Sequence, residues 1–213
     1  IYLEVCHIMA KITILGCGYG TALGVLFTTY GHEVMTWTKF ENEAELLRTE
    51  REHKRLLPGV KLPEALGVTT DPKCVSGADI ILVAIPSPFF REAVQTVKPY
   101  VDRGTVVINV SKGLEGSTGY RLSQIIREEL PENPVGVITG PCHAEEIARL
   151  VPTTEVCASY SDGVADYIQR TLSNERLGMR REALHREFLP RKENENIFDD
   201  MCVYALLKSE FAG

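Results

Sequence analysis

Residues 12–24, ITILGCGYGTALG, run from a β-branched apolar stretch into glycines at 16, 18 and 20, then resume with a helix-like pattern. A strand that ends in Gly16, Gly18 and Gly20 lets the backbone turn sharply and approach a bound group closely. The helix that follows aims its free N–H groups at that group, so an anion, most often a pyrophosphate, fits there. Glycines after a strand also serve plain tight turns, and the flanking segments decide between the two readings.

Outward from the turn, Ile12 to Leu15 reads as a strand and Tyr19 to Tyr30 as a helix closed by Gly31, with Glu33 to Trp37 as a second strand. Two strands flanking one helix within roughly 30 residues make a βαβ unit with a right-handed crossover and parallel strands. Glu41 to Lys54 reads as a charged surface helix, and the prolines from Pro58 to Pro63 mark a loop before a short strand at Val68 to Thr70. Ile80 to Ile85 (IILVAI) and Thr105 to Val110 (TVVINV) are continuous apolar runs, the pattern of buried central strands. Arg91 to Val97, Tyr120 to Leu130, Cys142 to Leu150 and Asp162 to Leu172 read as helices, with strands at Pro134 to Thr139 and Thr154 to Ser159. This alternation predicts an α/β fold with an open, doubly wound, mostly parallel sheet of the Rossmann type. A single dinucleotide-binding domain is expected over residues 9–176, followed by a divergent, mixed-charge tail over 177–213 that is helical or partly disordered.

Composition narrows the function classes. The 213 residues are 44% hydrophobic and 24% charged, which suits a globular core, and a net charge of −6 argues against a nucleic-acid footprint. Six cysteines without any C-x-x-C pair suggest neither a zinc cluster nor a disulfide framework, so no metal is expected. The longest apolar run, Ile80 to Ile85, is too short for a membrane span, and the opening residues lack the layout of a signal peptide. Met9-Ala10-Lys11 reads as a natural start, and the chain as cytoplasmic with reduced thiols.

Ligands of an open parallel sheet bind outside the carboxyl ends of its strands, and several strand ends here carry unusual residues. After Trp37, where a dinucleotide site places an acid against the adenosine ribose, Thr38-Lys39 stands instead. Lys39 either pairs with a 2′-phosphate, favouring NADP over NAD, or is a solvated loop lysine, with Glu41 close by. Pro86-Ser87-Pro88 forms a rigid turn that either presses Phe89 toward a cofactor or lets Phe89 and Phe90 cap the core. Lys112, directly after the TVVINV strand, suits a phosphate or a polarised carbonyl oxygen. Gly140-Pro141-Cys142-His143 breaks strand into helix, and Cys142 is either a nucleophile or a small residue near a helix cap.

Taken together and in order, GCGYGTAL, GHEVMTW, LLPGVKLP, AIPS, SKGLE, GPCHAEE and the NER at Asn174 to Arg176 resemble the N-terminal domain of NAD(P)-dependent glycerol-3-phosphate dehydrogenases. The resemblance runs from about Lys11 to Arg176. It implies reduction of dihydroxyacetone phosphate to sn-glycerol 3-phosphate with NADPH or NADH, a small phosphorylated substrate, a role in glycerolipid precursor synthesis, and a homodimer in the full-length form. Carried over by position, it implies that Gly16, Gly18, Tyr19 and Gly20 hold the pyrophosphate and that Lys39 lies by the adenosine ribose. Phe89 and Ala144 would touch the cofactor, Lys112 would meet both cofactor and substrate as the catalytic group, and Gly140 and Cys142 would border the substrate. Cys142 stands where the family usually has serine or threonine.

Three departures accompany the resemblance. Gly18 and Gly20 enclose only Tyr19, whereas the family pattern G-x-G-x-x-G has two residues there. The helical C-terminal domain and its lysine motif G-G-A-x-K-N are not in the sequence, and the stretch after Arg176 does not resemble the family. Hydride delivery to a ketone builds charge on its oxygen and needs a positioned acid, so this chain alone is expected to bind a dinucleotide with little or no turnover. The alternative is a non-enzymatic NAD(P)-binding sensor or regulatory module.

Overall fold

In the computed structural model, which describes residues 8–183, eight strands form one sheet in the order β3-β2-β1-β4-β5-β6-β7-β8. The strands are β1 (Lys11–Leu15), β2 (Glu33–Trp37), β3 (Gly67–Thr69), β4 (Ile80–Val83), β5 (Val106–Asn109), β6 (Val135–Thr139), β7 (Thr153–Ser159) and β8 (Leu177–Ala183). Among the described residues, six α-helices accompany them: α1 (Tyr19–Thr29), α2 (Glu41–Glu50), α3 (Phe90–Val97), α4 (Leu122–Glu129), α5 (Ala144–Ala148) and α6 (Asp162–Leu172). Neighbours from β3 through β6 pair in parallel, β7 runs antiparallel to β6, and β8 is parallel to β7. The strand order reverses between β1 and β4, which opens a crevice above their carboxyl ends.

The central strands are apolar without interruption because both faces are covered, and side chains still alternate between two cores. Ile12, Ile14, Ile80, Leu82 and Ile108 pack on one face against Leu23, Leu26 and Phe27 of α1 and Ile168 and Leu172 of α6. Leu15, Ile81, Val83 and Val107 pack on the other against Phe90 and Val94 of α3 and Leu122, Ile125 and Ile126 of α4. Thr13 alone breaks the apolar run of β1, and its hydroxyl donates to the Cys74 carbonyl at 2.9 Å.

The expected domain boundary at Arg176 stops one strand short. Asn174 closes a turn in which its side chain accepts from the Arg176 and Leu177 N–H groups at 2.9 and 2.8 Å, and the chain then enters β8. Leu177 and Met179 are buried on the first core, and the Gln169 side chain donates to the Met179 carbonyl at 2.7 Å. An outermost strand buries one face only, so β8 carries just two large apolar residues among charges, which reads as a solvated tail. The remainder of the tail, 184–213, lies outside the described residues. Other boundaries move little, although α2 ends at Arg51, whose left-handed φ of 51° closes it, and α5 is a single short helix.

Candidate functional site

The three glycines of the opening turn do three different jobs. Gly16 has a φ of +108°, and a Cβ there would sit 2.5 Å from the Ala84 carbonyl oxygen, so the turn out of β1 requires glycine. Gly18 has open space around it, with the nearest atom, Leu56 Cδ1, 3.7 Å from a built Cβ, so a ligand can approach its backbone. Gly20 lies inside α1, where a Cβ would meet Ile14 Cγ2 at 2.8 Å and Ala84 Cβ at 3.3 Å; its role is close packing of helix on sheet. These are the roles of the three glycines in a dinucleotide turn. The one-residue shortening therefore leaves the division of labour intact. Helix α1 begins at Tyr19 with no side-chain cap among the described residues, leaving its first N–H groups beside the crevice.

That crevice is a cleft of about 570 Å³ lying across the carboxyl ends of β2, β1, β4, β5 and β6. Gly16 to Tyr19 form its middle. At one end stand Trp37 to Phe40, Glu43, Phe89 and Glu92, and at the other Val110 to Lys112, Ile138 to Gly140, Cys142 and Glu155.

At the β2 end, the Lys39 ammonium is paired with Glu92 at 3.0 Å and sits 5.4 and 5.7 Å from the ring centres of Phe40 and Phe89. Lys39 is thus neither a simple solvated lysine nor a free cation. The Thr38 hydroxyl donates to Glu43 at 2.6 Å, which brings a carboxylate to this end from the first turn of α2. Phe89 is 53% exposed and lines the cleft, whereas Phe90 is fully buried, so only Phe90 caps the core.

At the far end, Lys112 is exposed, lines the cleft and has no ion-pair partner among the described residues. Its loop is held from behind. Gly113 takes a φ of +106° with its built Cβ 3.1 Å from the Ser87 hydroxyl, and Glu115 is gripped by Arg91 through two hydrogen bonds of 2.7 and 2.9 Å. Arg91 also bonds Glu129 at 2.8 Å and Glu128 at 3.0 Å. These hydrogen bonds hold the Glu115 carboxyl down at about 2 and raise the Arg91 guanidinium.

Cys142 and Tyr19 both donate to one oxygen, Oε1, of Glu155, the tyrosine at 2.7 Å. Burial first, and the Glu155 charge second, push the Cys142 thiol up to about 12 and the Tyr19 phenol far above its ordinary value. A thiol held protonated in this way is no nucleophile at neutral pH, and it donates to Glu155 rather than to His143. Gly140 leaves room for this cluster, since a Cβ there would lie 2.9 Å from Glu155 Cγ.

Of the residues expected at the site, Gly16, Gly18, Tyr19, Lys39, Phe89, Lys112, Gly140 and Cys142 all border the one cleft. Gly20 and Ala144 do not: Gly20 is buried against β1, and Ala144 packs on the first core at the start of α5. The model of the N-terminus of NAD-dependent glycerol-3-phosphate dehydrogenase matches residues 11–165. The chain belongs to this family.

Among relatives of this dehydrogenase domain, a glycerol-3-phosphate dehydrogenase [NAD(P)+] of Agathobacter rectalis is 38% identical over 169 residues, covering 78% of this chain and 50% of the relative. One of Desulfitobacterium hafniense is 41% identical over 165 residues, covering 77% and 47%. The crystal structure of glycerol-3-phosphate dehydrogenase from Coxiella burnetii superimposes with a TM-score of 0.76 at 30% identity, covering 82% of this chain and 54% of that one. The chain spans about half the length of the curated relatives it matches. Sequence reasoning about the dehydrogenase domain missed Glu155, Arg91 and Glu115. Glu155 was visible only as one acid within an otherwise uncharged strand, and the Arg91 pairs join residues 24 to 38 positions apart.

Proposed function

We propose that this chain supplies the cofactor-binding half of an enzyme that interconverts dihydroxyacetone phosphate and sn-glycerol 3-phosphate with NADH or NADPH. The observation that carries the reading is the glycine turn set midway along a cleft that has Lys39 at one end and Lys112, without an ion-pair partner among the described residues, at the other. The turn and the start of α1 would hold the pyrophosphate, with Phe40 and Phe89 beside the adenosine and Lys39 within reach of a ribose 2′-phosphate. A bound nicotinamide supplies the hydride. Lys112 would meet the substrate, its ammonium offsetting charge on the phosphate or on the carbonyl oxygen as that oxygen becomes an alkoxide. Tyr19 and Cys142 already direct their hydrogens to Glu155, so at this end of the cleft Lys112 is the cation that would meet that oxygen.

Trp37, the sole tryptophan, borders the cleft and reports on it. Titration with NADH or NADPH should quench its emission saturably, because reduced nicotinamide accepts energy from indole. Dihydroxyacetone phosphate added to the complex should bind saturably while dihydroxyacetone does not, and Lys112→Met should remove that difference. Absence of saturable quenching by either dinucleotide would sink the reading.

A further inference from the structure

Asn109 ends β5, a strand that is otherwise apolar, and it is 3% exposed on the same face as Val107. A buried amide is costly there unless it is bonded, and this one is bonded through both of its ends to a single residue. Its Oδ1 accepts from the Ser111 N–H at 3.0 Å, and its Nδ2 donates to the Ser111 carbonyl at 3.1 Å. Those two groups belong to the peptides on either side of the Ser111 Cα, so the pair of bonds fixes the backbone torsions of Ser111. The second of these peptides leads directly into Lys112. The direction in which Lys112 leaves the strand is therefore set by the Asn109 side chain.

The rest of the loop makes that direction matter. The Val83 carbonyl at the end of β4 accepts from the Val110 N–H at 3.2 Å and from the Ser111 hydroxyl at 3.0 Å, which staples the strand end to its neighbour. Beyond Lys112 the chain is anchored again, where Arg91 holds Glu115. Between these two anchors Lys112 is exposed on a long flexible side chain, so where its ammonium reaches in the cleft depends on how the backbone starts it. Asparagine suits the task because it offers a donor and an acceptor at the reach of a residue two positions on; aspartate has no donor for the carbonyl, and leucine has neither group. Resting on the reading of Lys112 as the group that meets the substrate, we propose that Asn109 is a positioning residue: by clamping Ser111 it aims the Lys112 ammonium at the phosphorylated ketone.

The test is a double-mutant cycle on wild type, Asn109→Leu, Lys112→Met and the double variant. Ligand-observed NMR, which reads millimolar affinities, measures dihydroxyacetone phosphate on the NAD+ complex, where it cannot be reduced. Asn109→Leu keeps the size of the side chain and loses both bonds, and it should weaken dihydroxyacetone phosphate by about tenfold. NADH affinity, read from the quenching of Trp37, should stay within about twofold. In the Lys112→Met background the same change should alter dihydroxyacetone phosphate by less than about twofold, because the clamp then has no ammonium to aim. Asn109→Ser keeps an acceptor for the Ser111 N–H and should recover part of the loss. It also runs the cycle if thermal unfolding shows Asn109→Leu to be misfolded. An undiminished loss in the Lys112→Met background overturns the proposal, since Asn109 would then act on the site without Lys112. Unchanged affinity for dihydroxyacetone phosphate in a folded Asn109→Leu also overturns it, as does an equal loss of NADH. If Lys112→Met alone leaves dihydroxyacetone phosphate bound as in wild type, the reading of Lys112 falls and takes this assignment with it.

Discussion

The Lys39 ammonium and the Glu92 carboxylate lie 3.0 Å apart at the mouth of the cleft, both substantially exposed, at 43% and 62%. A 2′-phosphate seeking Lys39 must compete with Glu92, which sits on α3 and is itself part of the cleft wall. An exposed pair of this kind is weak, so competition and not exclusion is the expected behaviour. Glu92→Gln should tighten NADPH by roughly threefold while leaving NADH within a factor of two, and the gain should shrink as salt is raised. Fluorescence titration of both cofactors at low and high salt checks this. An equal gain for NADH would mean that Glu92 acts on the shared part of the cofactor.

The grip of Arg91 on Glu115 predicts a pH dependence of stability. Glu115 titrates at about 2 in the folded chain against an ordinary value of 4.5, because Arg91 and Thr118 bond its ionised form. A depressed carboxylate contributes stability above its unfolded value, and that contribution is lost as pH falls from 4.5 toward 2. Glu115→Gln should therefore cost about 2 kcal/mol at neutral pH, with the difference from wild type narrowing below pH 4.5 and closing only near pH 2. Urea unfolding across that range reads it directly. Because Glu115 anchors the loop that carries Lys112, the same variant should also weaken dihydroxyacetone phosphate more than NADH.

Much of this molecule can be read from local pattern. The apolar runs of β1, β4 and β5 announce buried parallel strands, and the glycines announce the turn, because each depends on neighbours in the chain. What depends on distant partners is hidden. Lys39 looks like a lone cation until Glu92, 53 positions on, is folded against it. Cys142 looks like a candidate nucleophile until Tyr19 and Glu155 close around it. Strand β8 looks like a charged tail because an edge strand needs only alternate apolar residues, and Leu177 and Met179 are too few to stand out.

The turn itself can be tested at its two crowded glycines. Gly16→Ala combines a disfavoured backbone at φ +108° with a contact of 2.5 Å to the Ala84 carbonyl, which is main chain and cannot swing aside. It should destabilise by about 2–3 kcal/mol and abolish dinucleotide binding. Gly20→Ala meets a methyl of Ile14 at 2.8 Å, in a helical conformation that alanine favours. Its cost should be smaller, about 1–2 kcal/mol, with NADH binding weakened by tilting of α1. Unfolding midpoints and cofactor titration on the two variants measure both effects, and equal penalties would contradict the separate roles assigned to them.

Phe89 and Phe90 are adjacent and chemically identical, yet they sit on opposite sides of the cleft wall. Phe90 is fully buried among Leu15, Val83 and Val107, so Phe90→Ala should cost about 3–5 kcal/mol of folding stability. Phe89 projects into the cleft beside the Lys39 ammonium, where truncation leaves no cavity and should alter stability by less than about 0.5 kcal/mol. The same truncation removes the apolar surface that the proposed cofactor placement gives to the adenosine, and should weaken NADH and NADPH alike by about tenfold, within the range measured for loss of one stacking aromatic. Weakening confined to NADPH would show that Phe89 acts only by positioning Lys39. A large stability loss at Phe89 would show that its ring belongs to the core after all.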